Sequence, residues 1–387
     1  MRSTCLALAV LLWALAPAIA EAAQRVELAG RVTASRTVLT QRRVGEARYV
    51  AISDLFYRGG SAYIEVLDLA SQTVVQVTAK RSMFERRFGV ARNGAVTAPL
   101  AEVVLYREGV VGLAVASSAR GGFQRYSYAE LDAGSGKLLR TAELAMLHDG
   151  EQLAVVGADI AGQAAWFAIT EVTARRRSLV LRRLDLGSLE TTDEHRLTLP
   201  ARAAPSGREH AVRVHPAVDF ARFAVVEYAE DGAGMAPGHV YVVDAVAGPS
   251  CTGPAPPTAY GVAFSPDGRY VYLGSSQRGT ISRIDLSLCK IDKQVAGPRF
   301  LHHLVVSRSG AKLFALASSS SYAVFDLPDL KARVDAAHPA GVAAAMAELH
   351  GDGIASLDGA FFVVPEADDR RRAAAPDRSY LIARLVD

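Results

Sequence analysis

The sequence predicts an all-β fold, a seven-bladed β-propeller of four-stranded antiparallel blades, on three observations. First, residues 259–289 (AYGVAFSPDGRYVYLGSSQRGTISRIDLSLC) and 301–330 (LHHLVVSRSGAKLFALASSSSYAVFDLPDL) repeat one design. An apolar strand runs into a tight turn, a branched and aromatic strand follows, and a third strand ends on Asp-Leu. Second, that closing Asp recurs along the chain at Asp68, Asp132, Asp185, Asp244, Asp285, Asp326 and Asp387. The spacing is 41 residues at its shortest, which is one four-stranded blade, and longer intervals carry insertions. Third, the last mark stands on the final residue given, so the outer strand of the seventh blade must come from elsewhere.

The N-terminal segment supplies it. Arg25 to Val32 (RVELAGRV) alternates as a strand does and precedes the first full blade. Pairing it beside Tyr380 to Val386 closes the ring and removes two open sheet edges.

Ahead of that strand, Met1-Arg2, an apolar run from Leu6 to Leu15 and Pro17-Ala18-Ile19-Ala20 read as a secretory leader. Cleavage is expected after Ala20, with Ala22 as the alternative, and Cys5 lies too early in the leader to be a lipid-anchor site. The expected organisation is residues 1–20 as leader and 21–387 as one propeller domain. Later in the chain no segment reads as transmembrane. Many Ala and Arg with few Lys fit a GC-rich bacterial genome, and the expected location is the periplasm or the exterior.

Within the blades, the turns are Ser265-Pro266-Asp267-Gly268 and Ser307-Arg308-Ser309-Gly310. Pro presets φ at the second turn position, and Gly accepts the left-handed backbone that follows. Cys251 and Cys289, the two cysteines outside the leader, fall just after the closing Asp of blades four and five. An oxidising compartment favours a disulfide between them. Outer strands of neighbouring blades diverge, so two separate thiols is the alternative unless the Pro-rich stretch Pro249 to Pro257 supplies the reach.

The repeat resembles the YVTN family of seven-bladed propellers, cousins of the WD40 and lactonase-type propellers. Blade five carries the resemblance best; blade six replaces the Pro and Asp of its turn with Arg308 and Ser309. The resemblance implies the fold and a binding face, since propellers host enzymes, scaffolds and receptors alike. Blade one, residues 52–75, more loosely resembles an early blade of amine dehydrogenase propeller subunits.

The chemistry is less explicit. The formal charge of +3 gives no reason to expect a nucleic-acid partner. Arginine clusters such as Arg86-Arg87 and Arg370-Arg371-Arg372 sit in turns or beside acidic residues, as solvated surfaces do. There is no G-x-S-x-G elbow, H-E-x-x-H helix, C-x-x-C pair or phosphate-binding glycine loop. Whether the chain is an enzyme is left open, and no cofactor and no metal are predicted.

Aligning Pro216, Pro266 and Arg308 brings His210, Tyr260 and His302 to one place where the innermost strand begins, at the mouth of the central channel. His303 adjoins them, and Arg299 stands upstream with a positive charge. These five, His210, Tyr260, Arg299, His302 and His303, form the candidate ligand site; as the alternative, the rings fill the narrowing channel. His215, just before Pro216, reads as a turn cap. The function expected is an exported binding or scaffold propeller that engages a partner protein or small ligand at its channel face, monomeric on its own. The alternative is the propeller subunit of a periplasmic oxidoreductase of the amine dehydrogenase type.

Overall fold

The computed structural model describes residues 26–34, 42–43, 46–92, 95–97, 99–107, 109–118, 123–148, 151–172, 177–199, 210–229, 238–319, 321–349, 353–366 and 378–387. The expected leader and the Arg370 cluster lie outside them. Strand β1 (Val26–Ala34) comes first and is followed by blade one: β2 (Arg42–Arg43), β3 (Tyr49–Ala51), β4 (Phe56–Arg58), β5 (Ser61–Asp68) and β6 (Thr73–Lys80). A helix, Arg81–Phe88, and a short hairpin, β7 (Val90–Arg92) with β8 (Ala95–Thr97), lead to blade two. That blade is β9 (Leu100–Arg107), β10 (Val110–Ser118), β11 (Gln124–Asp132) and β12 (Leu138–Leu147). Blade three is β13 (Gln152–Asp159), β14 (Ala164–Val172), β15 (Arg177–Asp185) and β16 (Thr191–Leu199). Blade four is β17 (His210–Pro216), β18 (Arg222–Ala229), β19 (Gly238–Asp244) and β20 (Gly248–Ala255). Blade five is β21 (Ala259–Phe264), β22 (Tyr270–Ser275), β23 (Thr280–Asp285) and β24 (Lys290–Ala296). Blade six is β25 (Leu301–Val306), β26 (Lys312–Ala317), β27 (Ser321–Asp326) and β28 (Lys331–Ala337). After a second helix, Ala340–Leu349, come β29 (Ile354–Ala355), β30 (Phe361–Pro365) and β31 (Arg378–Leu385).

The chain thus makes seven blades, and β1 completes the last by pairing antiparallel with β31, from Val26 opposite Leu385 to Ala34 opposite Arg378. Every blade contacts the next through an apolar cluster of its own. Val32, Val50, Leu67 and Tyr380 join blade seven to blade one, and Phe314, Val324, Phe362 and Leu381 join six to seven. In blade one the second strand is split, β3 and β4 both pairing with β5. Among the described residues no helix is long and apolar enough to cross a membrane.

The recurring Asp has a local physical reason. Asp68, Asp185, Asp244 and Asp285 each accept the backbone N–H two residues on at 2.9 Å, which pins the turn from the third strand to the fourth. Asp132 accepts instead the N–H three residues on, from Ser135, at 2.7 Å. At Asp326 the residue two on is Pro328, which has no N–H to give. That carboxylate instead pairs with Lys312 Nζ at 2.6 Å and with Arg333. Hydrogen bonding from the turns holds these carboxyls below the usual carboxylate range, chiefly through the Ser135 hydroxyl at Asp132, the Ser188 amide at Asp185, the Ala247 amide at Asp244 and the Ser287 hydroxyl at Asp285.

The turn between the first two strands repeats as well. Ser265, Ser307 and Ser356 start it, and Gly268, Gly310 and Gly359 end it with φ of +65°, +77° and +66°. Each serine hydroxyl also accepts the N–H of the residue that opens the second strand or lies beside it: Tyr270 at 2.9 Å, Lys312 at 3.2 Å and Phe361 at 3.0 Å.

Three features depart from expectation. Pro249 and Pro254 lie in a strand, β20, rather than a loop; it is the outermost strand of its blade, where a missing ladder donor costs little. The long intervals before Asp132 and Asp387 hold helices, whose Phe84, Phe88, Val342 and Met346 are buried. In blade four the turn begins at Ala217, so Pro216 is the last residue of β17 and not the turn proline.

The ring seam yields a first prediction. Tyr380 is fully buried in the seam, whereas Leu28 on β1 is 49% exposed. Tyr380→Ala is expected to cost about 3–5 kcal/mol by urea denaturation and Leu28→Ala about 0.5 kcal/mol or less. Equal midpoints for the two variants would show that the ring does not depend on this seam.

Acid sensitivity yields a second. His338, just after β28, is buried with its ring 5.1 Å from that of Tyr322. Burial pushes it down to about 4, outweighing the pull of the Ala317 and Ser321 backbone. The unfolded chain takes up the proton near 6.5 and the folded chain does not. Stability from the neutral ring is therefore complete above about pH 6.5 and is lost as pH falls towards 4. Between pH 7 and 4.5 the loss should be roughly 2–3 kcal/mol, and His338→Leu should abolish most of it. The turn carboxylates, depressed below their unfolded values, weaken the fold only below about pH 4. An unchanged pH profile in His338→Leu would refute this assignment.

Candidate functional site

Along the ring axis the innermost strands β13, β17, β21, β25 and β29 enclose a cavity of about 540 Å³. Much of its wall is apolar, as at Val155, Val214, Val262, Val305 and Ile354. Six polar side chains join them: Thr170 from β14, Arg213 and His215 from β17, Tyr260 from β21, and His302 and His303 from β25. No Asp or Glu is among the described lining residues.

A strand irregularity sets two of these rings in place. In β21 the ladder steps from Ala259 to Gly261, and in β25 from Leu301 to His303, so Tyr260 and His302 are each the extra residue of a β-bulge. Val156 is the extra residue of β13 and lines the same cavity. A bulged residue has no ladder partner and its side chain is re-aimed, here into the channel. Close packing fixes the relation between blades five and six. Gly261 and Gly274 lie opposite each other, and a Cβ on either would come within 2.8 Å or 2.2 Å of Leu301 Cδ2. The notch that these glycines leave seats Leu301, the residue before His302.

As a result the Tyr260 and His302 rings stack, with centroids 5.2 Å apart and planes 3° from parallel. The Arg213 guanidinium lies over Tyr260 at 5.9 Å from the ring centroid, within cation–π range. Three consecutive blades thereby contribute one continuous stack: Arg213, Tyr260, His302. His303 also lines the cavity, and its ring meets Phe362 of blade seven edge-on at 5.1 Å.

The structure brings Tyr260, His302 and His303 together and leaves Arg299 outside. His210 opens β17 opposite Ala229, and its side chain lies outside the described features. Counting back from the equivalent turn residues Ala217, Ser265 and Ser307 puts Val212 level with Tyr260 and His302. The alignment on Pro216 was therefore two residues out, because Pro216 belongs to a strand. Strand β17 also has no bulge. Arg299 sits in the turn before β25, exposed, its side chain over Gly279 and its carbonyl accepting from Ser319 Oγ at 3.4 Å. It does not line the cavity.

Arg213 and His215 are the residues that the repeat alignment missed. Val212-Arg213-Val214-His215 alternates on an innermost strand, so its two basic side chains share one face. That alternation was the available signal. His215, expected as a turn cap, instead lines the cavity. Among the described residues no group of three or more His, Cys, Asp or Glu gathers in metal-binding geometry.

No family model matches the chain, and no curated protein does. Solved structures do align. The chain is similar to a chain of the crystal structure of the mitotic checkpoint complex, at 14% identity and a TM-score of 0.48 over 94% of this chain and 92% of that one. It is similar also to apo AztD from Citrobacter koseri, at 12% identity and a TM-score of 0.41 over 75% and 72%.

Proposed function

We propose that the chain is an exported propeller that binds a small ligand in its axial cavity. The observation that carries this reading is the Arg213–Tyr260–His302 stack on the wall of a 540 Å³ cavity. That volume lies in the range of small-molecule sites, roughly 300–1,000 Å³, and a largely apolar wall with a few convergent polar groups is what such sites share. Rigid strands hold the polar groups, so little ordering cost falls on binding.

Native mass spectrometry of the protein from its own source tests the reading. A retained small molecule is expected in the parent, and none in Val262→Phe, which fills the cavity from β21. A bare parent, or equal retention in both, would count against it.

Export is supported by the leader-like start and by the cysteines. Cys251, on the outer strand β20, and Cys289, in the turn between β23 and β24, are paired with Cα atoms 5.4 Å apart, within bridging distance. Reach comes from the turn and from Gly253, where a Cβ would stand 3.2 Å from the Cys289 carbonyl oxygen. Peptide mapping without reductant should recover residues 251 and 289 in one cross-linked species. Their separation of 38 residues would contribute roughly 3–4 kcal/mol in the chain-entropy model, less any strain. Two free thiols in protein taken from its own compartment would reject the bond.

A further inference from the structure

We infer that Phe220 forms the closed end of the axial cavity and selects for it a ligand with a neutral, apolar leading end such as an aromatic ring. This rests on the cavity being the binding site. Phe220 ends the turn from β17 to β18, its N–H bonded to the Ala217 carbonyl at 3.1 Å, and its φ is +54°. The same place in blades five, six and seven is Gly268, Gly310 and Gly359, and in blade three it is the exposed Gln163, at +47°. A left-handed backbone suits glycine, and a bulky ring resists it. Such an outlier persists only where its surroundings hold it, and outliers of this kind gather at ligand clamps.

In this turn Val218 is 59% exposed and Phe220 5%, so the ring turns inward, where it lines the cavity beside Pro216 and Ala355. Those two are the last residues of β17 and β29, which puts Phe220 at the end of the cavity away from Tyr260 and His302, near the starts of β21 and β25. Gly157 of β13 makes the room: a Cβ there would come within 3.0 Å of Phe220 Cζ. Packing of blades three and four does not by itself require a left-handed phenylalanine. Phe223 serves that packing from an ordinary strand position, fully buried with its ring 4.7 Å from Trp166, and it is not among the lining residues. The Phe220 ring has no hydrogen-bonding atom to offer. An apolar end placed against it gains by burial, while a polar end there loses its water and finds no replacement in the ring.

Calorimetric titration of the full folded chain with two neutral probes tests this: phenylbutanol, and the same molecule with a hydroxyl at the far end of its ring. Phenylbutanol should bind about tenfold or more the tighter, since the added hydroxyl meets Phe220 without a partner. Phe220→Gln, the side chain that blade three carries on the same backbone, should bring the two probes to within about twofold of each other, because the amide can bond the hydroxyl. Phe220→Leu, the milder change, should weaken phenylbutanol about threefold or more through the lost ring contact. Phe223→Leu should alter neither the affinity nor the preference, and thermal melting shows each variant folded. Equal affinity of the parent for the two probes would overturn the inference. An unchanged preference in Phe220→Gln, or equal losses in Phe220→Leu and Phe223→Leu, would overturn it also and leave Phe220 as packing alone. If neither probe binds the parent, the assignment fails; a molecule still retained by the native protein and lost in Val262→Phe would then show that the cavity itself remains the site.

Discussion

The ladder between β1 and β31 is the constraint on which the rest of the molecule depends. Each blade is a small twisted sheet that cannot bury both faces by itself, and its stability comes from the neighbours on either side. In a linear array the two terminal sheets would each expose an apolar face. Here blade seven meets blade one through Val32, Val50, Leu67 and Tyr380, and its outer strand is supplied by the opposite end of the chain. The contact is of very long sequence separation, so its loop-closure cost is met only when the other interfaces have formed. A ring joined in this way has no free blade, and its seven interfaces support one another.

That rigidity matters at the axis. The innermost strands converge there, and small changes of register decide which side chains enter the channel. In β21 and β25 one extra residue per strand turns Tyr260 and His302 inward. In β17, which has no bulge, the regular alternation of Val212, Arg213, Val214 and His215 does the work instead. Two local solutions on neighbouring blades thus produce a single stack, and neither would hold its geometry on a free hairpin.

Legibility in the sequence followed from how local each device is. The closing Asp was readable because it bonds to its own turn, two residues away, whatever the blade does elsewhere. The Ser-to-Gly turns of blades five and six were readable for the same reason, and so was the equivalence of Tyr260 with His302, which are counted from those turns. Blade four lacks the serine. With Pro216 mistaken for the turn proline, the count moved by two residues, and His210 was placed where Val212 stands. The bulges could not be read at all, since an unpaired residue is defined by its partner strand. The strand β20 was hidden by its prolines, which an edge tolerates and an interior strand does not. Arg299 was judged by its closeness in sequence to His302, but the turn between them sends its side chain over Gly279 instead.

The distribution of charge follows from the same geometry. Exposed strand faces carry ion pairs such as Arg125 with Glu143 at 3.6 Å, where water screens them and their net worth is small. Buried Glu227 is answered by Arg177 at 3.3 Å across blades three and four. Glu130 is likewise met by Arg140 at 2.7 Å. The axial wall carries Arg213, His215, His302 and His303 among its described residues. Fold and site are therefore separable: closure and inter-blade packing require apolar residues and local turn bonds, and none of them requires an arginine at position 213 or imidazoles on the channel side of β17 and β25.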